Sequence, residues 1–76
     1  MLAVKGQVLA VVEVKRRTTL TAALEAVGYD QRERLRRAGR NLAKNRPGLQ
    51  DAAVRLDLIA MAPGKWPKHC PDAWAE

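Results

Sequence analysis

Glu13 and Lys15 close the run Val-Leu-Ala-Val-Val-Glu-Val-Lys, an acid and a base two residues apart on an otherwise apolar stretch. Alternate side chains of a strand share a face, so these two charges point one way while Val12 and Val14 point the other. A carboxylate and a lysine placed together suit phosphodiester hydrolysis. The carboxylate can hold a divalent metal, and the lysine can position the attacking water or stabilise charge in the transition state. The same spacing is met by a solvated ion pair at a strand end. Magnesium usually takes one or two protein carboxylates with water and substrate phosphate, so Glu13 alone would make a weak and poorly oriented site.

Other residues compete for a place in that chemistry. Asp57 shares a strand face with Arg55 and Ile59, and a structural ion pair with Arg55 or Arg17 explains it better than a role as second acid. Glu25 could approach the site from an unplaced loop. His69 and Cys70 are adjacent, and in an extended segment they point apart, which argues against a nucleophile and its base. One Cys with one His also falls short of the four ligands of a structural zinc site.

The elements that would position these residues follow from pattern and punctuation. Val8 to Val14 is β-branched and continuously apolar at its start, as expected of a strand covered on both faces. Leu2 to Val4 can pair back on it across Lys5-Gly6-Gln7 to form a hairpin. Arg16 to Thr19 close that strand with polar groups, and the Ala-rich Leu20 to Val27 predicts a short helix ending at Gly28. Asp30 is the expected N-cap of a longer helix from Gln31 to Asn45, with Pro47-Gly48 ending it. Leu35, Ala38, Gly39, Leu42 and Ala43 give that helix a buried stripe. Ala53 to Met61 alternates as a strand before Pro63-Gly64. Strand, helix, strand favours a parallel βαβ unit. Trp66 and Trp74, in the tail from Lys65 to Glu76, are expected to cap an open edge of the core.

Charge is concentrated on the long helix. Arg32, Arg36, Arg40 and Lys44 recur every four residues, with Arg34, Arg37 and Arg46 beside them, and Arg16 and Arg17 add to it from the strand end. Such a row can track a phosphate backbone, or it can be the solvated face of an amphipathic helix. The 76 residues carry a net charge of +6, which favours polyanionic partners without naming one. They allow one small domain with a marginal core. A single Cys forms no internal disulfide and suits a reducing cytoplasm. Neither a signal peptide nor a membrane span is read, because the longest apolar run is far shorter than a bilayer requires.

These landmarks fall in the order seen in a known family. Val-Val-Glu-Val-Lys-Arg-Arg at 11–17, the Ala-rich link Ala23 to Val27 and the basic helix Gln31 to Ala38 come first. Arg-Leu-Asp-Leu-Ile at 55–59 and the closing segment Pro67 to Trp74, with His69 and Asp72-Ala73-Trp74, follow. Together they resemble the C-terminal part of the YraN-like proteins of the PD-(D/E)XK nuclease superfamily. The resemblance implies an α/β fold: a truncated restriction-endonuclease-like core, a short β-hairpin then βαβ, with the basic helix packed on a mixed sheet. It also implies an endonuclease site using Mg or Mn, with Glu13 as metal ligand, Lys15 as catalytic lysine and Gln31 as a helix-borne auxiliary. DNA, including branched DNA, is the implied partner. Members of that family carry a preceding helix and a Gly-Glu-Xaa-Asp strand whose Asp supplies the other metal ligand. This chain starts just after that Asp should occur. An incomplete catalytic set, better at binding than cutting, is therefore expected, and an exposed sheet edge would allow a homodimer.

Overall fold

In the computed structural model, which describes residues 1–74, the chain opens with a hairpin. Strands β1 (Leu2–Lys5) and β2 (Val8–Arg16) pair antiparallel across Gly6 and Gln7. Gly6 takes φ 58° there, a left-handed conformation that glycine adopts without steric cost. Leu9 to Val12 are buried, as an inner strand requires. β1 begins opposite Val11, and Met1 and Val12 exchange backbone hydrogen bonds of 2.8 and 3.1 Å. Beyond Val12 the β1 side of β2 has no strand partner among the described residues.

Helix α1 (Leu20–Leu24) starts at Thr19, whose Oγ1 accepts the Ala22 N–H at 3.0 Å. It stops short of the expected Val27, because that residue leaves the helix to enter the core. Helix α2 (Tyr29–Lys44) begins earlier than the sequence suggests, with extended Gly28 as its N-cap. Asp30 therefore does not cap; it lies in the first turn, where its charge complements the helix dipole.

Strand β3 (Ala53–Met61) runs parallel to β2, with Leu9 opposite Val54, Glu13 opposite Leu58 and Lys15 opposite Ala60. A three-residue β4 (Lys68–Cys70) returns antiparallel on β3, giving a mixed sheet in the order β1-β2-β3-β4. The expected α/β architecture of a hairpin followed by a parallel βαβ unit is what the chain forms.

Both helices cover the same sheet face. Gly39 lies so close to it that an added Cβ would stand 2.8 Å from a methyl of Val11 and of Val54. A second cluster joins Ala23, Val27, Leu58 and Ala60, with Leu35, Cys70 and Trp74 packed against it. The predicted stripe holds for Leu35, Gly39, Leu42 and Ala43, but Ala38 is exposed. The helix touches the sheet along a narrow line through Gly39, which leaves Ala38 outside it.

The two tryptophans part company. Trp74 packs on the core as expected, whereas Trp66 is 91% exposed and caps nothing. Trp66 sits in the exposed link between β3 and β4, just after a turn at Gly64 (φ 72°). The end of the expected closing tail, residues 75 and 76, lies outside the described residues.

Candidate active site

Glu13 and Lys15 emerge on the helix-covered face near the carboxyl end of β2, the end at which open α/β sheets place their ligands. Lys15 Nζ lies 2.9 Å from Glu13 Oε1, and the two side chains keep only 20% and 23% of their exposure. Alternation along the strand puts them on one face. Their backbones sit beside Leu58 and Ala60, and that pair belongs to the cluster on which α1, Leu35 and Trp74 pack. The pair therefore projects from strand positions that neighbour an apolar cluster.

Gln31 is half-buried in the first turn of α2. The crossover brings that end of the helix toward the carboxyl ends of β2 and β3, but no hydrogen bond joins Gln31 to Glu13 or Lys15. Glu25 is exposed at the C-cap of α1, where its backbone N–H donates to Thr21 O at 3.0 Å.

Asp57 lies on the opposite face of the sheet and is 2% exposed. Its carboxylate accepts hydrogen bonds from Arg55 Nε at 2.7 Å, Arg55 Nη2 at 2.9 Å and the Asp72 backbone N–H at 3.0 Å. His69 Nε2 lies 2.9 Å away as a further partner. Burial works against the ionised form, but the bonds from Arg55, Asp72 and His69, with the Arg55 charge, outweigh it and hold the pKa at about 2. Both oxygens are fully engaged, and the bonds to Asp72 and His69 pin the closing segment to β3. The expected ion pair with Arg55 is present. His69 and Cys70 do point apart, His69 to Asp57 and Cys70 to the core cluster.

A divalent ion needs more than this site offers. Magnesium or manganese takes one or two carboxylates with water and phosphate oxygens, and Glu13 is the single acid here, already paired with Lys15. Among the described residues no group of three or more His, Cys, Asp and Glu could hold a metal ion. These residues therefore do not by themselves complete a metal site.

The row on α2 is not uniform. Arg32 lies over the rings of Tyr29 and Trp74, at 5.8 and 5.7 Å from their centres, with its Nε buried and unpartnered. Arg36 donates to Glu33 Oε1 at 3.1 Å and to the Trp74 carbonyl. These two cations thus fasten α2 to the closing segment. Arg40 and Lys44 are exposed, and they line a surface cavity with Arg37. Arg16 and Arg17 are exposed at the end of β2, where Arg17 donates to the Arg16 carbonyl at 2.8 Å.

Residues 1–61 match the model of an uncharacterised protein family, UPF0102. The chain belongs to the UPF0102 family. It is 66% identical over 74 residues to a UPF0102 protein of Caulobacter vibrioides, which covers 97% of this chain and 59% of that protein. A UPF0102 protein of Caulobacter sp. strain K31 is likewise 66% identical, over 97% of this chain and 53% of its own length. One from Paramagnetospirillum magneticum is 42% identical, over 97% and 57%. The chain thus spans little more than half the length of these UPF0102 relatives. No solved structure matches it. No helix among the described residues is long and apolar enough to cross a membrane.

The sequence gives little warning of two groups. Arg37 lies off the four-residue row, yet it meets Arg40 and Lys44 at one cavity. The bond from His69 to Asp57 depends on β4, which is too short to show periodicity.

Proposed function

We propose that this UPF0102 chain is part of a DNA-acting phosphodiesterase domain of the PD-(D/E)XK type, with Glu13 and Lys15 as its half of the active site. The observation that carries this reading is the 2.9 Å pair at the carboxyl end of β2, largely shielded from water. The mixed sheet with a parallel βαβ centre is consistent with a small nuclease-like fold. Lys15, oriented by Glu13, can donate to a phosphoryl oxygen as negative charge grows on it. Gln31, at the helix end nearest the site, is the candidate auxiliary. Glu13 is the one ligand this chain would bring to a magnesium or manganese ion, and a second acid would have to come from outside these residues.

The test is a chimera in which this chain replaces the matching residues of the Caulobacter vibrioides relative. Cleavage of branched, single-stranded and duplex DNA with Mg²⁺ or Mn²⁺ is expected, and Glu13→Ala or Lys15→Ala should each abolish it. Inactivity on every substrate with both ions would overturn the enzyme reading. Rates unchanged by either substitution would remove those residues from the mechanism.

A second reading has its own support. The lone carboxylate, the ion pair and the basic surface also suit a non-catalytic module that binds nucleic acid or a partner. DNA binding with steep salt dependence and no cleavage by the chimera would favour it. The outer edge of β1, unpaired among the described residues, would further allow two copies to pair, and sedimentation that changes with concentration would reveal that.

A further inference from the structure

The C-terminal half of α2 and the segment leading into β3 enclose a groove of about 290 Å³. Arg37, Arg40 and Lys44 supply three cations to its wall, and Asn41 and Gln50 supply amides. Ala43 and Val54 are among its apolar lining. No carboxylate lines it among the described residues. Arg37, Arg40 and Lys44 fall on one side of the helix because their spacings of three and four residues bring each back near the same angle. The groove is thus a consequence of helical period and of the close approach at Gly39, which lowers the helix onto Val54.

We propose that this groove seats the phosphodiester backbone of DNA, apart from the Glu13 and Lys15 site. Three cations and two amides with no opposing acid match a run of phosphate oxygens, because charged donors and amide N–H groups are what position a backbone without reading its bases. Arg32 and Arg36 are engaged with Tyr29, Glu33 and Trp74, so of the four-residue row only Arg40 and Lys44 line the groove, where Arg37 joins them. The groove and the Glu13 and Lys15 site lie at different heights along the sheet. Val54 pairs with Leu9, four residues before Glu13 on the same face, a separation of roughly 13 Å at the usual rise of a strand. That is about four steps of a duplex axis. This assignment rests on the DNA reading above, but it concerns binding and stands or falls separately from cleavage.

The experiment measures affinity of the 76-residue chain for a fluorescent duplex across a salt series. Arg37→Glu with Arg40→Glu is expected to weaken binding at least tenfold near 100 mM salt and to reduce the slope of log affinity against log salt by about 2. Arg40→Glu alone should cost more than Lys5→Glu, which makes the same change of net charge on the other sheet face. Circular dichroism of each variant should match the parent. Equal losses from Arg40→Glu and Lys5→Glu would overturn the groove, since net charge alone would then account for binding. Competition by polyglutamate as effective as by DNA of equal charge would overturn the DNA assignment in favour of an acidic protein partner. No binding by the parent even at low salt would overturn it too. Loss of binding in the groove variants, alongside a chimera that cleaves no substrate with either ion, would sink the nuclease reading and leave the groove standing.

Discussion

Two paired carboxylates, Asp57 and Glu13, lie on opposite faces of the same sheet, and their surroundings differ. Asp57 is 2% exposed and is engaged by Arg55, the Asp72 N–H and His69. Glu13 keeps 23% of its side-chain exposure and touches one lysine. A carboxylate whose acceptors are all occupied serves the fold; one with spare acceptors and a single partner can take a ligand. The contrast shows why counting acids near a strand misleads. Asp57, whose carboxyl pKa is held at about 2, is structural, because its bonds tie β3 to β4 and to the turn at Asp72.

The largest expected effect is on the Asp57 side. Asp57→Ala leaves the Arg55 charge and the Asp72 N–H without their acceptor, and it should destabilise the chain by about 3 kcal/mol. Urea unfolding followed by Trp74 fluorescence would show it, and a loss under about 1 kcal/mol would break the comparison. Gly39→Ala comes next. Its methyl would meet Val11 and Val54 at 2.8 Å, a strain of about 1–3 kcal/mol only partly offset by about 1 kcal/mol of helix propensity. A net gain in urea midpoint would mean that the helix can lift off the sheet.

Acid should then separate the two carboxylates further. Asp57 is held at about 2 against an ordinary 3.8. A depressed acid contributes its stability fully above the unfolded value and loses it as pH falls through the folded one. The urea midpoint of the parent should therefore fall as pH drops from about 4 toward about 2, and Asp57→Asn should flatten that decline. The smallest effect is predicted for Glu13→Gln, within about 1 kcal/mol of the parent, as for other partly exposed pairs.

Much of this arrangement is legible in the sequence. The hairpin, the parallel strands and the Glu13 and Lys15 face follow from alternation and from Gly6, which are local signals. What was hidden depended on long-range pairing. Asp30 looked like a cap because the extended state of Gly28 leaves no mark in composition. Trp66 looked like core because its type is apolar, yet it sits in an exposed link just after the Gly64 turn. Arg32 and Arg36 looked like surface until Trp74 arrived from the far end of the chain. The clustering of Arg37 with Arg40 and Lys44 needed the segment before β3 to close a wall.

The most direct measurement pairs stability with activity in the two variants Glu13→Gln and Asp57→Asn, placed in the Caulobacter vibrioides chimera and assayed for DNA cleavage well below the unfolding midpoint. Glu13→Gln should abolish cleavage with an unchanged urea midpoint, and Asp57→Asn should lower the midpoint while leaving the rate of the folded protein within about threefold of the parent, under 1 kcal/mol of barrier. Cleavage that survives Glu13→Gln but disappears in folded Asp57→Asn would contradict the assignment of the two faces.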